Sequence, residues 1–117
     1  MRLAFYGLAI RDLLDYYNLI YNILTMKTTV YVLLLEQDKY YIGCSYDYKF
    51  RIDKHVNGHG SSWTKLYGPL KVIELLHDVD KIVEKDKTLE YMRKYGWQNV
   101  RGYCWSKVNL PNPPSEL

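Results

Sequence analysis

A chain of 117 residues is the length of one domain, with room for a single modest hydrophobic core. About half of the residues are apolar (48%) and a quarter are charged (25%), a balance that excludes a disordered chain. Thirteen tyrosines stand against two phenylalanines. Such an excess of amphipathic rings suits surfaces that contact a polar partner, or packing in a small core.

The net charge is only +3, but it is unevenly distributed. Two basic blocks, residues 49–71 and 93–108, flank an acidic span at residues 74–90. Tryptophan and tyrosine occur within both basic blocks, which favours a polyanionic partner with stackable bases, namely DNA. A solvated surface of mixed charge is the alternative interpretation. The predicted DNA-contacting residues are Lys49, Lys54, Trp63, Lys65, Asn99 and Arg101.

The two cysteines, Cys44 and Cys104, have no second pair and no histidine at the spacing of a zinc site. We therefore expect reduced thiols in an intracellular protein, cytoplasmic or nuclear and not secreted. No uninterrupted apolar run approaches the roughly 20 residues of a membrane span. No small-residue cleavage pattern follows the N-terminal apolar run. The sequence therefore predicts neither a membrane segment nor a signal peptide.

Residues 1–26 differ in character from the rest of the chain. An apolar run is broken by Arg11 and Asp12 and then resumes as far as Leu24. This pattern predicts an N-terminal helical extension, either amphipathic or buried. Alternatively, Met26 is the natural start, because it leads directly into the first strand.

Strand-like and helix-like patterns alternate through the remaining sequence. The first strand is apolar on both faces, so we expect it to be central in its sheet. These patterns predict an α/β (α+β) domain over residues 27–108, with a three-stranded antiparallel sheet flanked by helices. A proline-rich tail at residues 109–117 is predicted to be flexible. The predicted elements are strands near 29–35, 40–44 and 71–76 and helices near 47–57 and 80–95.

Side chains that can cap helices mark the predicted ends. Ser45 or Asp47 can cap the first helix of the domain, and Asp78 or Asp80 the long one. Gly96 suits the C-terminus of the long helix, because it has no side chain to oppose a left-handed backbone.

The first helix of the domain has two rows of side chains. Tyr48, Ile52 and Val56 recur at every fourth position and are predicted to form the buried stripe. Arg51 and His55 lie one turn apart in a second row beside that stripe.

Several motifs then occur in a recognisable order. Val30-Tyr31 precedes Tyr41-Ile42-Gly43, which is followed after eight residues by Arg51 and after four more by His55. The later matches are Asn57-Gly58 with Trp63-Thr64, Glu84 near the start of the long helix, and residues 91–102. Together they resemble the GIY-YIG nuclease domain family over about residues 29–105, particularly its small stand-alone, structure-selective and large-DNA-virus members.

Two positions depart from the pattern of that family. Thr29 stands where the glycine of the GIY element would be, which a strand can accommodate. Cys44 follows the YIG glycine where many members carry a lysine. The second departure removes a cation near the phosphate, a charge that Lys49 or Lys65 could supply.

The resemblance implies a metal-dependent endonuclease that hydrolyses DNA phosphodiester bonds, with structure-selective cleavage as one option. Glu84 is implied to be the ligand of Mg²⁺ or Mn²⁺. Arg51 can pair with phosphate oxygens and gains strength as their charge builds. Either tyrosine or His55 could take a proton from the attacking water. The family favours a tyrosine, with Tyr41 the first choice and Tyr31 supporting it.

Two other functions are open on the sequence. A DNA-binding module of the same fold that does not cleave would keep the basic blocks, and a protein-interaction domain would need neither metal nor DNA. Because no second domain is predicted, either the shape of the DNA or a protein partner must supply specificity.

The register of the first hairpin decides whether a shared site can form. With a two-residue turn at Gln37-Asp38, Leu34 would face Tyr41, and Tyr31 would project from the opposite face. For both hydroxyls to reach one phosphate, the register must shift by one residue. A loop of three or five residues, or a bulge, produces that shift. We therefore predict an irregular hairpin.

Overall fold

The computed structural model describes Gly7 and residues 9–117. A four-stranded sheet lies at the centre, with helices packed against both of its faces. Its elements in chain order are α1 (Ile10–Leu24), β1 (Thr28–Leu35), β2 (Tyr40–Ser45), α2 (Tyr48–Val56), α3 (Ser62–Leu66), β3 (Pro69–Val79), α4 (Ile82–Tyr95) and β4 (Val100–Gly102). Two 3-10 turns, Glu36–Asp38 and Trp97–Asn99, precede β2 and β4.

The strand order across the sheet is β3-β1-β2-β4. β1 pairs antiparallel with both β2 and β3, whereas β4 pairs parallel with β2. The predicted α+β class is therefore confirmed, but the sheet of three strands was incomplete. β4 escaped prediction because its three residues are too few to show an alternation of apolar and polar side chains.

β1 is central because it is apolar on both faces, as predicted. On one face, Leu33 and Leu35 pack with Trp63 of α3. On the other face, Val32 packs with Met92 of α4. Side chains of a strand alternate between the two faces, so this single strand contributes to two core layers.

The hairpin between β1 and β2 is irregular, as predicted. Its connection is a three-residue 3-10 turn in which Gln37 and Asp38 have φ of 59° and 56°. Tyr31 is paired with Gly43, which lies two positions from Tyr41 on the same strand. Residues two apart on a strand share a face, so both tyrosines project from the same side of the sheet.

The helix ends match the sequence signals only in part. The Asp47 carboxylate accepts from the Phe50 N–H and caps α2, as one of the two predicted candidates. The prediction for α4 was wrong, because Lys81 occupies the capping position and no side chain there accepts a hydrogen bond. Gly96 ends α4 with φ of 92°, as predicted.

The predicted buried stripe of α2 was wrong at one position. Val56 is 61% exposed, whereas His55 is only 1% exposed. The helix therefore turns His55, from the predicted polar row, towards the sheet. Ile52 and Tyr48 are half-buried against the core cluster that includes Leu33, Leu35 and Trp63.

The C-terminal segment, predicted to be flexible over residues 109–117, contacts α4. Arg93 donates to the Glu116 carbonyl oxygen at 2.9 Å, and the Glu116 carboxylate lies 3.2 Å from the Lys85 ammonium. Pro114 is buried. The segment thus adds contacts along the outer side of α4.

α1 occupies residues 10–24 of the predicted N-terminal extension, while residues 1–6 and 8 of that prediction lie outside the described residues. Its apolar side chains Ile10, Leu14 and Leu19 are more than half exposed. Among the residues that the structure describes, no helix combines the length and the apolar character that a membrane span requires.

We expect removal of residues 1–25 to leave the free energy of unfolding nearly unchanged, because the described apolar side chains of α1 are largely exposed. Removal of residues 106–117 should instead cost about 3–5 kcal/mol, since it deletes two carbonyl oxygens that accept from the buried Arg101. Urea denaturation followed by circular dichroism measures both. Unfolding of the N-terminal truncation would contradict the interpretation of Met26 as a start.

Candidate active site

Two glycines, Gly43 and Gly60, lie directly against aromatic rings of the candidate site. The rings of Tyr31 and Tyr41 have centroids 6.4 Å apart on one face of the sheet. A Cβ at Gly43 would overlap the Tyr31 ring, and one at Gly60 would overlap the imidazole of His55. Both rings therefore lie directly on backbone, which explains why the YIG glycine is required here.

His55 connects α2 to the sheet and to α3. Its Nε2 lies 3.0 Å from the Tyr31 hydroxyl, and its Nδ1 lies 3.0 Å from the Thr64 hydroxyl. Thr64 donates its own proton to the Ser61 carbonyl oxygen at 3.1 Å. The Nδ1–H of His55 therefore donates to Thr64, which leaves Nε2 to accept from Tyr31.

One partner of His55, Thr64, lies on α3, a helix that the sequence did not predict. Ser61 caps α3 by accepting from the Thr64 N–H at 3.1 Å. The available signal was the serine three residues before Thr64, a spacing typical of a helix N-terminus. A helix of five residues is otherwise too short for periodicity to reveal it.

His55 is neutral at physiological pH. Burial, reinforced by the charge of Arg51, lowers the pKa of His55 from 6.5 to about 4. The neutral imidazole can accept a proton at Nε2, and its single N–H, at Nδ1, already donates to Thr64.

Arg51 brings the positive charge of the site. It lies one helical turn before His55 and is half-buried. Burial raises the pKa of Tyr31 and of Tyr41, and the Arg51 charge opposes that rise at both tyrosines. The Arg51 charge thus acts on both tyrosines and on His55.

Glu84 lies in the first turn of α4, at the margin of the tyrosine cluster. Burial raises its pKa, while hydrogen bonds from Cys44 and the charge of Lys81 oppose the rise. Glu84 in turn raises the pKa of Tyr41, second only to burial. Its carboxylate is therefore close to the phenol oxygen.

A hard divalent cation fits Glu84 better than zinc does. Among the described residues, no three His, Cys, Asp or Glu side chains form a group that could hold a metal. Mg²⁺ is commonly held by one or two carboxylates, with waters and substrate phosphates completing its octahedron. A structural zinc needs four protein ligands. A single half-buried carboxylate such as Glu84 thus suits Mg²⁺ or Mn²⁺ better than zinc.

Cys44 follows Gly43 on β2 and is half-buried. Burial, together with hydrogen bonding to Glu84, raises the pKa of its thiol to about 12. The side chain is thus an uncharged thiol at neutral pH and supplies no cation to the site.

The predicted DNA-contacting residues fall into two groups. Lys49 and Lys65 are exposed, and Lys54 lies with its ammonium 4.9 Å from the centre of the Phe50 ring. These three lysines belong to α2 and α3, the helices that carry His55 and Thr64. They can contact a DNA backbone that approaches the site.

The other three predicted DNA contacts are engaged inside the protein. Trp63 is 3% exposed and donates to the Tyr40 carbonyl oxygen, and Arg101 is 4% exposed. Asn99 accepts from Lys39 at 2.7 Å. At these positions the prediction of contacts to DNA phosphates is corrected, because these side chains are buried or hydrogen-bonded within the protein and present little surface to a DNA backbone.

Comparisons with known protein families, with curated proteins and with solved structures found no match.

We expect the pH dependence of stability to report on His55. Its pKa is lower in the folded protein than the 6.5 of a free imidazole. The stabilisation from the neutral ring is therefore complete above pH 6.5 and is lost as the pH falls towards 4, by roughly 3 kcal/mol. The measurement is the free energy of unfolding in urea at pH 7 and pH 4.5, for wild type and His55→Gln. Equal pH slopes in the two proteins would refute this assignment.

Proposed function

We propose that this protein is a GIY-YIG-type endonuclease that hydrolyses DNA phosphodiester bonds with Mg²⁺ or Mn²⁺. The observation that carries the proposal is the grouping of Tyr31, Tyr41, Arg51 and His55 on one face of the sheet, with Glu84 at its margin. Two strands (β1 and β2) and two helices (α2 and α4) contribute these five residues. Such a grouping supplies a positive charge, proton acceptors and one metal-binding carboxylate around a single point.

Arg51 would bind the scissile phosphate. A guanidinium presents two parallel N–H groups to phosphate oxygens and holds them more tightly as negative charge builds. Because Arg51 is half-buried beside aromatic rings, its interaction is screened less than that of a surface lysine.

Tyr41 would take the proton from the attacking water. Tyr31 is 1% exposed and its hydroxyl donates to His55, whereas Tyr41 is only half-buried. A phenol must first lose its own proton to act as a base, and Tyr41 can lose it to solvent. The resulting phenolate then accepts a proton from water as the water oxygen attacks phosphorus and the bond to the 3′ oxygen breaks, and the departing 3′ oxygen takes up a proton from solvent. Tyr31 and His55 pack against the Tyr41 ring, and the Tyr31 hydroxyl is hydrogen-bonded to Arg51.

Glu84 would hold the divalent cation. When bound, the cation would supply charge that stabilises the phosphoryl and leaving oxygens and offsets the Glu84 charge that raises the pKa of Tyr41. Glu84 is half-buried in the first turn of α4, and its carboxylate accepts hydrogen bonds from Cys44 of β2.

The described surface suits recognition of DNA shape. Lys49, Lys54 and Lys65 can contact phosphates in any sequence context, and phosphate contacts position a protein without reading bases. Selection among DNA structures, or a protein partner, would then supply specificity. Incubation with branched, nicked and linear DNA and Mg²⁺ separates the possible functions. Cutting supports the proposal, binding alone supports a non-cleaving DNA-binding module, and neither supports an interaction domain.

We expect the two tyrosines to differ in the form of their defects. Tyr41→Phe should lower the cleavage rate by about 10²–10⁴-fold, because it removes the proton acceptor. It should also flatten the rise in rate with pH that a base of raised pKa produces. Tyr31→Phe should keep that rise while lowering stability, since it removes a buried hydrogen bond to His55. Single-turnover rates from pH 6 to pH 10 make the comparison, and equal pH profiles would transfer the base to another group.

We expect Glu84→Gln to abolish nearly all metal-dependent cleavage, because the amide keeps the shape but removes the charge that holds a hard cation. Its DNA affinity without metal should be unchanged or slightly higher, since one negative charge is removed near the phosphate site.

Glu90→Gln is the matched control. Glu90 is on the same helix, but its side chain is 57% exposed and pairs with Lys87 at 2.8 Å. Its variant should cleave at nearly the wild-type rate. Full cleavage by Glu84→Gln, or equal loss in both variants, would overturn the assignment of the metal ligand.

A further inference from the structure

A pocket lies beside α3. It has a volume of about 410 Å³ and opens between α3, the Trp97–Asn99 turn and residues 108–111. This volume is within the range of small-ligand sites, roughly 300–1,000 Å³. Aromatic rings of Trp63, Tyr67 and Trp97 line it, together with the Gln98 amide.

Arg101 is a buried cation at this pocket. Its guanidinium lies 4.4 Å from the centre of the Trp63 ring and is held by backbone carbonyl oxygens. Those carbonyls belong to Trp97, Val100, Lys107 and Val108. The bonds use four of the five guanidinium N–H groups, so one N–H of Nη2 remains available.

The charge of Arg101 has no anionic partner in the part of the chain that the structure describes. The ion pairs found there involve other residues. Burying a cation without a counter-charge is costly, even when carbonyl dipoles solvate it. At the wall of a pocket, a ligand that brings hydrogen-bond acceptors to the Arg101 guanidinium offsets this free-energy cost.

We propose that this pocket binds one unpaired base of a DNA strand, an inference that rests on the proposed nuclease function. A nucleobase is planar and carries carbonyl and ring-nitrogen acceptors. Trp97 and Tyr67 supply aromatic surface for stacking, and the Arg101 Nη2 and the Gln98 amide supply polar partners for the base edge.

The fold places this pocket next to the active site. α3 contributes Trp63 and Leu66 to the pocket, and Thr64 of the same helix bonds to His55. A base held in the pocket therefore orders the neighbouring strand against the site. Unpaired bases occur at branches, flaps and single-stranded ends, so the pocket selects DNA with such features over a plain duplex.

Indole resonances provide the first test, because the three tryptophans are distributed usefully. Trp63 and Trp97 line the pocket, whereas Trp105 pairs with the backbone of Gly102. In metal-free ¹H–¹⁵N spectra, dGMP and a short oligothymidine should shift the indole signals of Trp63 and Trp97 and leave Trp105 unchanged. Deoxyribose 5-phosphate, which has no base, should shift none. Shifts with deoxyribose 5-phosphate, or with dGMP alone and no oligonucleotide, would overturn the proposal.

Leu66→Glu provides the second test. Leu66 is 54% exposed at the pocket, so a carboxylate there should fold and would supply the missing counter-charge to Arg101. We expect affinity for a single-stranded oligonucleotide to fall about tenfold or more, since a stacked base is lost. Leu19→Glu, at a leucine 58% exposed on α1, carries the same change of charge and should bind nearly normally. Equal losses in both variants would show a general charge effect and refute the pocket.

The indole spectra and the cleavage assay, both made on the wild-type protein, separate this inference from the proposed function. Pocket shifts without cleavage in the wild type would keep the base-binding site and reject the nuclease. Cleavage in the wild type without pocket shifts would keep the nuclease and reject the base-binding site.

Discussion

The hydrogen bond between the Tyr31 hydroxyl and His55 Nε2 joins the central strand to α2, and the arrangement of the candidate site depends on it. Both groups are about 99% buried, so the bond forms away from competing water. Its geometry requires bare backbone at Gly43 and Gly60, where the two rings rest. Any side chain at either glycine would displace a ring and, with it, the position of Arg51.

The short length of β4 has a comparable role at the other end of the site. β4 pairs with β2 only as far as Ile42, so the rest of β2 has a free edge there. Cys44 lies on that part of the strand, and Glu84 approaches it from the start of α4. A longer β4 would occupy the edge that the carboxylate now approaches. The site therefore exists where the sheet stops being paired.

The features that the sequence predicted correctly are those with a repeated residue pattern or a chemical requirement. The apolar run of β1 predicted a central strand, and the need for two tyrosines on one face predicted the irregular hairpin. α3 and β4 were missed, because five and three residues carry too little pattern. Arg101 was misplaced because charge usually indicates surface, whereas its partners are carbonyl oxygens of nearby turns. Backbone acceptors have no signature in side-chain identity, so only the folded chain reveals them.

α3 links the two sites more tightly than its five residues suggest. Trp63 and Thr64 are neighbours in sequence, and they face the pocket and His55 respectively. A substitution that rotates or shifts this single turn of helix moves both. In the proposed nuclease, the choice of substrate and the rate of reaction are therefore coupled through α3. A laboratory selection for new substrates that acted through α3 would alter turnover at the same time, and variants of the lysines on the outer surface offer the independent route.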